Sequence, residues 1–86
     1  MNLGRVVGTA TSTVKHASMR GAKLLVVQRL QADGVTPDED PVLAIDTLGA
    51  GRGNVVLITS DGPDAARVLG DARTPVRWSV QGIVDP

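Results

Sequence analysis

The sequence contains no cysteine, no phenylalanine and no tyrosine, and Trp78 is its single aromatic residue. Without cysteine there is neither a disulfide staple nor a thiolate metal site. Without large rings the core must be thin. A chain of 86 residues buries only somewhat more than ~60% of its unfolded surface, so oligomerisation is the expected source of further stability. A charge excess is also missing, because nine Lys and Arg balance nine Asp and Glu. That balance leaves no electrostatic footprint for DNA, RNA or an anionic membrane. No apolar stretch approaches the ~18 residues of a membrane span, and the first residues lack the apolar core of a secretory leader. The expectation is one soluble domain over residues 1–86, cytoplasmic, with no cofactor. The only histidine, His16, lies in the polar run Thr13-Val14-Lys15-His16-Ala17-Ser18. No nucleophile or orienting carboxylate stands beside it, so it reads as a surface loop residue. One histidine and no cysteine make a zinc site improbable.

What is present is a glycine cluster between two apolar runs, Ala44-Ile45-Asp46-Thr47-Leu48-Gly49-Ala50-Gly51-Arg52-Gly53-Asn54-Val55-Val56-Leu57. Such a loop turns tightly or lets another backbone approach closely. It is not a phosphate-cradling loop, since no Lys-Ser or Lys-Thr follows, and Asn54 stands where a dinucleotide fingerprint needs its third glycine. Its purpose is geometric.

Five segments rich in Val, Leu and Ile read as strands: Leu3 to Thr11, Lys23 to Leu30, Val42 to Asp46, Asn54 to Thr59 and Trp78 to Val84. With turn residues between them, they indicate an all-β sheet or small barrel. Alternate residues of a strand face opposite sides. Leu24 and Val26 therefore oppose Leu25 and Val27, Val42 and Ala44 oppose Leu43 and Ile45, and Val55 and Leu57 oppose Val56 and Ile58. An isolated antiparallel sheet usually keeps one wet face, yet both faces of these strands are apolar. Either another copy or another protein covers the second face, or the barrel is fully closed and clothed by its loops.

Between the strands, Asp33-Gly34 and Thr36-Pro37-Asp38-Glu39-Asp40-Pro41 read as an exposed turn. Its acidic triplet is a solvated tip, lacking the glycine and distal Glu of a calcium loop. Ser60 to Gly70 reads as one short helix, with polar caps before it, Pro63 at its first turn and Gly70 at its exit. Asp46 ends an apolar strand just before the glycine loop. A lone carboxylate lacks the partner that acid–base chemistry needs, so it is expected to accept loop amides or to pair with an Arg. Arg67 on the helix is either that partner, a contact between subunits, or a solvated residue. A five-stranded barrel raises the possibility of an OB-like module for single-stranded nucleic acid, but such sites stack bases on several aromatics in a basic groove. Trp78 alone reads as a core or interface anchor.

These segments resemble, in order and spacing, the EutN/CcmL family of bacterial microcompartment vertex proteins. The resemblance runs from Val6-x-Gly8 through Gly21-x-Lys23-Leu24-Leu25-Val26-Val27 to the Asp46-x-x-Gly49-Ala50-Gly51-x-Gly53 block. It continues with Val56-Leu57 and Ala66-Arg67 and closes with Gly82-Ile83-Val84-Asp85. The chain departs from the pattern at Pro63-Asp64-Ala65, where serines are usual, and at Arg77-Trp78, where an acid is common. The resemblance implies a small five-stranded OB-like β-barrel with one short helix, assembled as a cyclic pentamer. Such homopentamers cap the vertices of polyhedral shells tiled by hexameric shell proteins, and they catalyse nothing. In such a ring Gly49, Ala50 and Gly51, small enough for close approach, are expected near the axis; Arg52 either rims a central opening or points into solvent, and Asp46, Arg67 and Trp78 are candidate interface residues. An OB-like nucleic-acid-binding module is the alternative.

Overall fold

The computed structural model describes residues 1–10, 23–60 and 76–84. Within them lie five strands: β1 (Asn2–Ala10), β2 (Lys23–Arg29), β3 (Val42–Asp46), β4 (Val55–Ser60) and β5 (Trp78–Val84). They close into a barrel in the order β1-β2-β3-β5-β4, with β4 returning to β1. All neighbours are antiparallel except β3 and β5, which run parallel and pair Ala44 with Trp78 and Ile45 with Ser79. Ser60, read as the start of a short helix, ends β4, and the rest of that helix, 61–70 with Arg67, lies outside the described residues, as does the polar stretch with His16.

Closing so few strands demands strong twist and bending. Two irregularities provide it. The β1–β2 register shifts between Val6 and Gly8, leaving Val7 as the extra residue. The β4–β5 register shifts between Leu57 and Ile58. Close backbone approach helps as well. Gly4 is buried, and a Cβ placed there would stand 2.3 Å from Val27 Cγ1.

The barrel interior holds Val6, Leu25, Val27, Ala44, Ala50, Val56, Ile58 and Val80, with Val42 and Trp78 packed against them. The alternation read from the sequence is present: Leu25, Val27, Val56 and Ile58 are the inward members of their strands. The outward members divide. Leu24 and Ile45 form a second buried cluster with Val76 and Ala10, so the chain covers this part of its outer face itself. Elsewhere Val7, Leu43, Ile83 and Val84 remain exposed. Among the described residues, no buried side-chain nitrogen or oxygen lacks a hydrogen-bond partner.

Candidate functional site: the stapled glycine loop

The loop from Asp46 to Asn54 leaves β3 and enters β4 at one end of the barrel. The buried Asp46 carboxylate accepts the backbone amides of Leu48 at 2.9 Å, Gly49 at 3.1 Å and Ala50 at 2.8 Å. Three amides on one carboxylate fix the first half of the loop. This gives Asp46 a structural role in holding the loop. The Lys23 ammonium donates to the Ala50 carbonyl at 2.7 Å. The Ala50 methyl is fully buried in the barrel core and plugs the end from which the loop emerges.

The second half is closed by Asn54. Its side-chain oxygen accepts the Gly51 amide at 2.7 Å, and its own amide donates to the Gly51 carbonyl at 3.0 Å. The Gly53 amide then bonds the Val6 carbonyl, and the Val6 amide the Asn54 carbonyl, which joins the loop to β1. The glycines serve different ends. Gly49 and Gly53 have φ of +89° and +91°, where an L side chain is strained. Gly51 has no positive φ, and a Cβ there would meet only Asn54 Oδ1 at 3.7 Å. Nothing among the described residues therefore requires glycine at position 51. Leu48, Gly49, Arg52 and Gly53 face solvent on this fastened frame.

A second constellation stands at the opposite end of the barrel, around Trp78. The Arg29 guanidinium lies over the Trp78 ring, 5.4 Å from its centroid. Arg29 also pairs with Glu39 at 2.5 Å and donates to the Asp40 carbonyl at 3.2 Å. The neighbouring Gln28 amide nitrogen donates to the carbonyls of Arg29 and Glu39. Glu39 itself takes a left-handed backbone, φ +57°. The turn before it is held by Asp33, whose carboxylate accepts the Val35 and Thr36 amides and the Thr36 hydroxyl. The hydroxyl bond, followed by the two amides, draws the Asp33 carboxyl below its ordinary value.

The structure thus separates the candidate site residues. Asp46 and Gly49 to Arg52 share one end, with Ala50 turned inward. Trp78 is half-buried beside β3, some distance along the barrel from the loop. Sequence reasoning did not find Arg29, Gln28 or Lys23, whose roles depend on contacts across strands. Among the described residues, no group of three His, Cys, Asp or Glu could hold a metal ion. Nor is any described helix long and apolar enough to cross a membrane.

A family model described as "Ethanolamine utilisation protein EutN/carboxysome" matches residues 1–85. The chain belongs to the EutN/CcmL family. Among its relatives is the bacterial microcompartment shell vertex protein GrpN of Rhodospirillum rubrum, 42% identical over 85 residues, 99% of this chain and 93% of that one. Another is the shell vertex protein PduN of Salmonella typhimurium, 41% identical over 88 residues, 99% of this chain and 96% of that one. The barrel superposes on the solved GrpN pentameric microcompartment shell protein with a TM-score of 0.78, at 40% identity over 100% of this chain and 95% of that one. It superposes on Gloeobacter violaceus CcmL with a TM-score of 0.79, at 40% identity over 99% and 86%. The nucleic-acid alternative gains no support from these relatives. In this family member the only aromatic, Trp78, is engaged with Arg29 and the core.

Proposed function

We propose that this chain is a structural vertex protein of a bacterial microcompartment shell, working as a homopentamer. The observation that carries the reading is the match of nearly the whole chain, in sequence and in fold, to shell vertex proteins. Five copies form a ring that caps a fivefold vertex of the shell inside the bacterial cytoplasm. The whole of 1–86 acts as one vertex domain. The protein is not an enzyme: its relatives are shell vertex proteins, and the Asp46 and Asn54 side chains of the glycine loop bond loop amides and hold its shape. Its further partners are hexameric shell proteins, since hexamers tile flat layers and a closed polyhedron needs fivefold positions.

Gly49, Ala50, Gly51 and Arg52 lie near the ring axis in this reading. The support is physical. The loop is rigid before assembly, so bringing copies together costs little ordering entropy. Gly51 is small without any need among the described residues, which is what crowding by neighbouring copies would require. Asp46 contributes to the contact indirectly, by fixing the loop, while Trp78 and Arg67 are direct interface candidates.

Native mass spectrometry at micromolar concentration is expected to show a dominant five-subunit species, and a stable monomer would refute the reading. Coexpression with cognate hexameric shell proteins is expected to give closed shells. Omitting this chain is expected to leave open vertices or elongated forms in negative-stain images. Shells that never retain the protein would remove the vertex assignment.

A further inference from the structure

Two shallow apolar grooves cut the outer surface of the barrel. The first is about 440 Å³ and is lined by Leu3, Leu30 and Leu57 together with Asn2, Gln31 and Asp38. The second is about 300 Å³ and is lined by Val42, Leu43, Val76, Arg77 and Trp78. The first is centred on β1 where it meets β4. The second lies at the seam of β3 and β5, which the strand order places across the barrel from β1. Both sit toward the end of the barrel where β2 leads into β3: Leu3 is the second residue of β1, Val42 begins β3 and Trp78 begins β5.

Asp38 and Arg77 are both exposed, and neither side chain has an ion-pair partner among the described residues. Leu43 projects from the second groove, 44% exposed. Its neighbour Trp78 is steadied by Arg29, which is itself anchored to Glu39 and Asp40. The second groove therefore has a preformed wall.

We propose that these two grooves are the two halves of the contact between neighbouring copies of this chain, with Asp38 of one copy facing Arg77 of the next. The inference rests on the pentamer reading above and adds which surfaces make the ring. A head-to-tail ring joins two different patches of each subunit, and the ring closes only if both lie on different flanks at one level. The grooves satisfy both conditions. Each combines apolar side chains with one charged residue, as protein–protein contacts do, and the two charges are opposite. A second copy is the one partner that supplies both complementary surfaces at once.

The test is charge reversal and exchange. Asp38→Arg places two arginines across every contact, and Arg77→Asp places two acids there. The double variant Asp38→Arg with Arg77→Asp restores an opposite pair with its direction reversed. Pentamer dissociation is followed by sedimentation and native mass spectrometry over a dilution series, with circular dichroism on every sample. Each single variant is expected to dissociate at a concentration at least about tenfold higher than the original chain, because like charges facing across an interface are strongly unfavourable. The double variant is expected to return to within about threefold of the original. Arg5→Glu, a charge reversal of the same size on β1 outside both grooves, is expected to leave dissociation unchanged. Should a reversal impair folding, Asp38→Asn and Arg77→Gln are expected to weaken the ring in the same direction by less.

The outcomes separate the two readings. An original chain that is not pentameric at micromolar concentration refutes the pentamer itself. A pentameric original chain whose single variants dissociate unchanged, or whose double variant is no better than the singles, overturns the groove contact alone. Variants that keep the ring but lose incorporation into shells would assign the grooves to another shell protein and likewise overturn it.

Discussion

Replacing Gly4 with alanine adds one methyl group where the barrel has no room for it. The added carbon would stand 2.3 Å from Val27 Cγ1, 3.3 Å from the Gln28 carbonyl oxygen and 3.7 Å from Ile58 Cδ1. Neither side can retreat easily. Val27 is fully buried and, being β-branched, is stiff at χ1. Gly4 is paired with Arg29 on one side and Val56 on the other, so its backbone is held by both ladders. Overpacking of this kind costs about 1–3 kcal/mol, and the severity of the contact puts Gly4→Ala at the upper part of that range. Val27→Ala removes two methyl groups from the core, at about 2–3 kcal/mol once the cavity is included. If the two effects were independent, the double variant would lose roughly 4–6 kcal/mol by their sum. The geometry says otherwise. The alanine methyl at position 4 fills space that Val27 Cγ1 vacates, leaving a deficit of one methyl group, about 1 kcal/mol. The double variant is therefore expected to be more stable than Gly4→Ala alone. Denaturant unfolding of the four proteins at one fixed concentration is the assay, because the stability of an oligomer depends on protomer concentration. In thermal terms each kcal/mol is worth about 4–8 °C for a domain of this size. A double variant as unstable as the sum of the singles would refute the argument.

Asp46→Ala is expected to lower stability by about 3 kcal/mol, since it leaves amides that had a charged acceptor without one. Faster hydrogen exchange at Leu48, Gly49 and Ala50 is the matching local signal, and unchanged protection there would contradict the stapling described. Gly51→Ala is expected to leave the circular dichroism spectrum intact while Gly51→Val lowers the yield of pentamer; an unchanged yield for both would move the loop away from any crowded contact. The turn at Asp33 has a defined acid response. Its carboxyl titrates lower in the folded chain than in the unfolded one, so its contribution is complete above the unfolded value of about 4. That contribution is lost as pH falls through the lower folded value. Asp33→Asn is expected to remove this acid-dependent component, read from the Val35 and Thr36 amide shifts during titration to low pH.

The strands were largely legible because each is a run of Val, Leu and Ile bounded by turn residues. β3 and β5 have the expected limits, and β2 begins where expected. β1 begins one residue earlier than read. β4 begins at Val55 rather than Asn54 because Asn54 is engaged in closing the glycine loop. The expectation that Asp46 meets loop amides could be formed from its place between a strand and a glycine cluster. The parallel pairing of β3 with β5 could not, because nothing local encodes which strand lies beside which. Gly4 was likewise silent, since its reason is a methyl group more than twenty positions away in β2. Ala50 looked like one more small residue of an exposed loop, and only the closed barrel turns its methyl inward. Part of the outer apolar face that seemed to need a partner is covered by Val76 from the same chain, a contact no strand pattern announces.

The return of β4 to β1 has a consequence for how this protein behaves in bulk. An open sheet presents a row of free amides and carbonyls onto which another chain can add a strand, and that row seeds domain swapping and fibrils. A barrel in which every described strand has a partner on each side over part of its length shortens that row. Contacts between copies of this chain then rest largely on side chains. Their association is open to adjustment by single substitutions and limited to the partners those side chains suit. A protein that must accumulate in many copies and join others at a fixed angle gains from this: its assembly can be strengthened or redirected during evolution without passing through forms that polymerise along the backbone.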